Sequence, residues 1–171
     1  KGLLNLLERN SYSCHFLHGG NAEYDDMGLL LQAESNVKIA DCKSITNYKF
    51  KNSWGVDDES FFDFSEKYIS EQRQKNFYCL LTMSNHEPFE VPETFALGNE
   101  LTDLSPAEKT FYYSDFALGR FISHLKERGI FEKSLIIITG DHGESYTYAD
   151  NDVKVFHVPL LIIDHKAKSK V

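Results

Sequence analysis

Residues 77–83 read Phe77-Tyr78-Cys79-Leu80-Leu81-Thr82-Met83, and the chain then turns polar at once, into Ser84-Asn85-His86-Glu87-Pro88-Phe89. A short run that is apolar at nearly every position, not at every second one, predicts a strand buried on both faces, as in a parallel sheet. Working outward, the same grammar recurs. Residues 11–17 (SYSCHFL) predict a strand that exits into His18-Gly19-Gly20. Residues 134–139 predict another, exiting into Asp141-His142-Gly143-Glu144, and 153–163 contain a further one after His157. A short strand is expected at 37–40. Between the strands lie helix-like segments, so strands and helices alternate as in an α/β sheet.

The helices have legible ends. Residues 1–9 predict the tail of a helix with Leu3, Leu6 and Leu7 on one face. Residues 22–32 predict a second. Asp57 or Asp58 can cap a third that runs to about Gln74, because a carboxylate oxygen accepts the free amides of a first turn. Its apolar face is Phe61, Phe62, Ser65, Tyr68, Ile69 and Gln72. Ser105-Pro106-Ala107-Glu108 combines a capping box with proline at the first helical position, and Gly129 is placed to end that helix. No repeat, low-complexity tract or internal linker interrupts 1–171, which predicts one domain.

The chain has 171 residues, enough for a sizeable core, and 42 % of them are hydrophobic. It opens at Lys1 inside a helix-like stretch without an initiating Met, which reads as a piece of a longer protein. No apolar run reaches the length of a membrane span. A net charge of −8 argues against a general nucleic-acid binder, which needs a basic face for phosphates. Cys14, Cys42 and Cys79 are far apart and read as buried free thiols.

Ligands of open α/β sheets bind beyond the carboxyl ends of the strands. Three predicted exits carry histidine: His18, His86 and His142. In one parallel sheet they would share an edge and converge on one cleft. Asp141 and His142 offer a hard oxygen and an imidazole nitrogen, a donor set that suits Zn or Mn. Two readings of the pair stay open: both point at one ion, or Asp141 caps a turn beside an exposed His142. Glu144 is a further ligand or a solvated carboxylate. His86 suits proton transfer or phosphate contact, against a hydrogen-bonded turn histidine. Trp54 packs on the core or stacks on a substrate. His15 reads as structural, His157 as facing the core or the cleft, and His124 as part of a solvated helix face. Neither a GxxxxGK[ST] loop nor a GxGxxG turn is present.

These motifs resemble a known family. "GDHGE" after an apolar strand resembles the metal motif of sulfatases and headgroup phosphotransferases of the alkaline phosphatase superfamily. "FLHGGNAEYDDM", "SWGVDDESFF", "LLTMSNHEPFEVPE", "YYSDFALGRFISHLKERGIFEKSLIIITGDHG" and "HVPLLI" resemble, in order, segments of its lipoteichoic acid synthase-like (phosphoglycerol transferase) branch. The resemblance implies an alkaline phosphatase-like α/β fold, mostly parallel, with helices on both faces, of which 1–171 is the C-terminal part of the catalytic domain. It implies Asp141 and His142 as ligands of one divalent ion (Mn, Zn or Mg). It implies His86 as the contact to substrate or leaving group, with Asn85, Trp54 and His18 at the substrate. The nucleophile, a Thr or Ser, and an acidic metal ligand would precede Lys1. An arginine usual in the family has no counterpart in "AEYDDM".

The implied activity is transfer of a phosphoglycerol-type headgroup from a lipid donor to a glycan or polymer acceptor. It would take place outside the cytoplasm of a bacterium, on a protein held in the cell membrane by an anchor upstream. Sulfatase and phosphoethanolamine transferase are the alternative chemistries, and a non-catalytic domain of the same fold is the alternative of another class.

Overall fold

The computed structural model describes residues 2–96, 103–143 and 157–166. The elements are α1 (Leu3–Arg9), β1 (Ser13–His18), a 3-10 turn (Tyr24–Asp26) leading into α2 (Met27–Glu34), β2 (Lys38–Ala40), α3 (Asp58–Ser70), β3 (Asn76–Leu81), α4 (Pro106–Glu127), β4 (Leu135–Thr139) and β5 (Leu160–Asp164). The chain divides into two compact units, 1–124 and 125–171.

In the first unit β1 is central. It pairs in parallel with β2 on one side and β3 on the other, in the order β2-β1-β3. From Cys14 to His18 every residue of β1 is buried, as expected for a strand covered on both faces. Cys14, Phe16, Ala22 and Val37 form one core cluster, with Leu4, Leu7, Leu31, Ile39, Phe77 and Leu81 packed against it. Each large apolar side chain buried this way contributes about 1.5–3 kcal/mol. Leu4 and Leu7, not Leu3 and Leu6, are therefore the inward face of α1; Leu3 and Leu6 are exposed. A seven-residue helix is too short for its apolar spacing to choose between adjacent faces.

The helix ends follow the capping rules. Asp57 is the N-cap of α3, and its side chain accepts from the Ser60 amide. That helix stops at Ser70, short of Gln74, where the apolar spacing gives way to Glu71-Gln72-Arg73-Gln74. Ser105 and Glu108 form the reciprocal capping box of α4. Gly129 follows with φ +64, a left-handed conformation that favours glycine. Phe62 of α3 stacks on Phe121 of α4 with ring centroids 4.8 Å apart.

In the second unit β4 pairs with β5, antiparallel, with Leu135 opposite Asp164 and Thr139 opposite Leu160. Among the described residues, the expected parallel sheet thus carries the β1 and β3 exits, while β4 belongs to a separate two-stranded sheet. Leu135 and Ile137 are exposed, so β4 is not buried on both faces as its sequence suggests. Of the expected buried thiols, Cys14 and Cys42 are buried and Cys79 is exposed. Residues 153–156 of the last expected strand lie outside the described residues.

His15 is fully buried inside the first unit. Its Nε2–H donates to Asn76 Oδ1 (3.1 Å), and Nδ1 accepts from the Tyr68 hydroxyl (3.0 Å), which fixes one neutral tautomer. Burial holds this ring below the ordinary imidazole value, opposed by the Asn76 hydrogen bond and helped by the Lys38 charge. The folded-state value lies under the unfolded one, so acid protonates the unfolded chain first. Stability is then complete above about pH 6.5 and falls as the pH drops from there toward the folded-state value. Urea midpoints measured across that window should decline with acid, and His15→Gln should flatten the slope. His18, shifted in the same direction by burial, leaves a residual slope.

Candidate functional site

The parallel pairing of β1 and β3 brings two predicted exits side by side. The Gly19 amide donates to the Leu81 carbonyl (2.9 Å), extending the ladder one residue past the strands. His18 ends β1 at 2 % exposure. Its Nδ1 lies 3.3 Å from the Gly20 amide and 3.4 Å from the Leu81 carbonyl. Nδ1 accepts from Gly20 in one tautomer and donates to the Leu81 carbonyl in the other. His18 thus shapes the turn from within, whereas the resemblance placed it at the substrate.

After β3 the chain makes two successive turns, His86 amide to Met83 carbonyl (3.3 Å) and Phe89 amide to His86 carbonyl (2.9 Å). Asn85 and His86 are exposed at their tip. The His86 Nδ1–H donates to the Glu87 carbonyl (3.1 Å). A carbonyl can only accept, so Nε2 is the ring nitrogen left to take or give a proton.

The Asp58 carboxylate, 1 % exposed, anchors this loop from below. It accepts from the amides of Met83 (3.1 Å) and Ser84 (2.9 Å) and from the Ser114 hydroxyl of α4 (2.8 Å), while its own amide donates to Ser84 Oγ (3.0 Å). Asp57 beside it accepts from the Phe50 amide, the Ser60 amide and hydroxyl, and the Tyr113 hydroxyl. Burial, then the Asp57 contact, pushes the Tyr113 hydroxyl far above its ordinary value and keeps it a donor.

Trp54 arrives from the segment before α3. Asn52 Oδ1 accepts from the amides of Trp54 (3.0 Å) and Gly55 (3.3 Å). The half-buried indole lies against the His86 ring, with centroids 3.6 Å apart and planes tilted by 32°; the Tyr24 ring meets it edge-on at 5.7 Å. Sequence spacing left core and substrate as the choices for Trp54. The structure gives its indole a third neighbour, His86, which no local signal connects to it.

In the second unit, Asp141 and His142 follow β4 and are exposed. Asp141 Oδ1 accepts from the His142 amide (3.0 Å), so part of the turn-capping reading holds. The other oxygen, Oδ2, lies 3.6 Å from His142 Nε2. The His142 Nδ1–H donates to the Gly143 carbonyl (2.8 Å), leaving Nε2 with a lone pair on the Asp141 side. Ligands about 2.0–2.2 Å from one ion stand at roughly this separation, and a carbonyl-oriented imidazole is the usual supporting contact. These two residues therefore fit as two ligands of one divalent ion. Glu144 lies outside the described residues. His157 is exposed, not in a core.

One group escaped the sequence reading. Asp63, Glu66 and His124 bring three potential ligand atoms within 4.8 Å of one another. His124 Nδ1 is 3.2 Å from Glu66, so it is half-buried and paired where a solvated face was expected. Arg120 bridges Glu59 and Asp63, and Lys49 reaches Glu59 at 2.7 Å. The cations already beside these carboxylates make the group an ionic tie between α3 and α4. Its signal was the match of i, i+3 acids on one helix with i, i+4 bases on the next.

The sulfatase family model matches residues 1–171. The chain is 36 % identical over 94 residues to the lipoteichoic acid synthase-like YvgJ of Bacillus subtilis, covering 53 % of this chain and 15 % of that protein. It therefore spans a small part of that relative's length. A crystal structure of an alkaline phosphatase superfamily protein from Vibrio parahaemolyticus is similar with a TM-score of 0.82 and 30 % identity, over 95 % of this chain and 40 % of that one. The lipoteichoic acid synthase LtaP from Listeria monocytogenes has a similar fold, with a TM-score of 0.81 at 21 % identity over 97 % of this chain and 46 % of that one.

The loop geometry rests on a close backbone crossing. Gly20 and Gly55 face each other across an isolated bridge, and the Val56 amide donates to the Gly19 carbonyl (2.9 Å). A Cβ on Gly55 would stand 2.7 Å from the Gly19 carbonyl carbon and 2.8 Å from Gly20 Cα, both backbone atoms that cannot swing aside. Gly55→Ala should destabilise the protein by about 1–3 kcal/mol, measured by chemical denaturation, whereas Gly119→Ala, where a Cβ meets nothing within 4 Å, should not destabilise it.

Proposed function

This chain belongs to the sulfatase family, and we propose that the whole protein is a metal-dependent phosphotransferase that moves a phosphoglycerol-type headgroup from a lipid to a glycan or polymer acceptor. The observation that carries the reading is the exposed His86 tip, on a turn whose base at Met83 and Ser84 is bonded to Asp58, with Nε2 the ring nitrogen open to proton transfer. The similarity to a lipoteichoic acid synthase-like protein of Bacillus subtilis supports the choice of headgroup transfer. The reaction belongs outside the cytoplasm of a bacterium, on a protein held at the membrane. Among the described residues no helix is long and apolar enough to cross one.

Asp141 and His142 are the proposed ligands. A divalent ion held there supplies charge stabilisation at the phosphoryl group and activation of an attacking hydroxyl. That hydroxyl, from a Thr or Ser outside this chain, forms the new bond to phosphorus as the bond to the lipid oxygen breaks. His86 Nε2–H gives its proton to the departing oxygen. In this reading Asn85, exposed on the same tip, contacts the headgroup. The acceptor hydroxyl then bonds to phosphorus as the bond to the nucleophile oxygen breaks, and its proton goes to the His86 Nε2 that the first step left unprotonated.

The test is release of labelled glycerol phosphate from phosphatidylglycerol vesicles by the whole protein, beside hydrolysis of an aryl sulfate. Transfer without sulfate hydrolysis is expected, and the reverse result establishes a sulfatase instead. His86→Ala should lower the rate about 10²–10⁴-fold. Asp141→Ala should lose bound divalent metal by elemental analysis, and equal metal content in both proteins would remove Asp141 from the ligand set.

A further inference from the structure

We infer that Trp54 is a positioning residue for His86: its indole is the surface against which the catalytic imidazole is held. The inference rests on the reading of His86 given above and assigns Trp54 a task that reading did not include.

His86 sits on an exposed loop tip, and the hydrogen bond of its ring, to the neighbouring Glu87 carbonyl, moves with the same loop. Such a bond sets the tautomer but does not hold the ring against the rest of the protein. The indole does. At 3.6 Å between centroids the two rings are in face contact, and the 32° tilt keeps the overlap. Contact of this kind is attractive beyond the burial of the two rings, and more so when the imidazole carries a proton and faces the ring as a cation.

The indole can serve as a reference surface because its own backbone is fixed from several directions. The Gly20–Gly55 crossing locks it to the β1 exit. Asn52 Oδ1 holds the Trp54 and Gly55 amides, and Asn52 Nδ2 reaches Glu90 (3.3 Å), beyond the His86 turn. Tyr24 closes on the indole from the edge. The indole face that meets the imidazole is thereby taken by His86, with Tyr24 as a second ring neighbour. Both loops then move as one body, with Nε2 carried at a fixed point beyond the β1 and β3 exits.

The transfer assay on the whole protein tests this with Trp54→Ala, Trp54→Phe, His86→Ala and the Trp54→Ala/His86→Ala double variant. Misplacing a reacting group by about 1 Å costs up to about 10²-fold, so Trp54→Ala should lower kcat about 10- to 100-fold with the donor KM unchanged. Trp54→Phe, which retains an aromatic face, should recover most of the loss. The double variant should be no slower than His86→Ala alone, because both substitutions remove one function. Independent, multiplying losses overturn the inference. So does a rise in KM at intact kcat, which would place the indole on the substrate. If His86→Ala leaves transfer intact, the functional reading falls and the role of Trp54 falls with it. A strong His86→Ala effect beside a silent Trp54→Ala overturns the positioning alone.

Discussion

Two consecutive buried carboxylates, Asp57 and Asp58, organise the first unit. Unpaired, a carboxylate at 1–3 % exposure would be expensive to bury. Here each is surrounded by donors, and the donors come from different parts of the chain. Asp57 gathers the segment before α3 and the Tyr113 hydroxyl of α4. Asp58 gathers the β3 exit and the Ser114 hydroxyl. Both stand at the start of α3, where the helix dipole favours negative charge. Removing either would leave several buried donors unmatched at about 1–3 kcal/mol each. The arrangement therefore links loop geometry to fold stability: the His86 turn cannot relax without uncovering a charge.

Along the facing sides of α3 and α4 the chemistry changes from hydrogen bonds to ion pairs. Glu59, Asp63 and Glu66 rise along α3, and Arg120 and His124 answer them from α4, with Lys49 joining at Glu59. Asp63 is half-exposed, and desolvation pushes its carboxyl up against the pull of His124 and Lys49. The Arg120–Asp63 pair, on the exposed side, contributes little singly. The worth of the pairs together lies in register: the ion pairs and the Phe62–Phe121 stack agree on a single alignment of the two helices. That alignment brings Tyr113 and Ser114 to the two aspartates.

Much of this was legible in the amino-acid sequence, because it is written in local patterns. The β1 and β3 runs, the Asp57 cap and the Ser105–Glu108 box each declare themselves within a few residues. What depended on distant partners did not. An apolar run such as Leu135–Thr139 looks the same whether its neighbour is parallel or antiparallel. Asp58 is an ordinary first-turn acid until β3 is folded beside it. Trp54 and His86 were each singled out, yet nothing in either neighbourhood says that one ring lies on the other. His18 read as a ligand-facing exit residue, and only the paired β3 strand shows that its ring is enclosed.

The glycine crossing has a further consequence. The Cys42 amide donates to the Gly20 carbonyl and the Val56 amide to the Gly19 carbonyl, so the irregular segment between them leaves and returns at the same two peptide groups. It is a noose drawn shut at its neck. The cost of closing such a loop grows only logarithmically with its length, about 0.6 kcal/mol per doubling. Residues around Thr46–Tyr48 can thus be added, removed or exchanged with little penalty. Only this exposed tip is free to diverge: on either side of it the segment is tied down, by buried Ile45 before it and by the Lys49, Phe50 and Asn52 contacts after it.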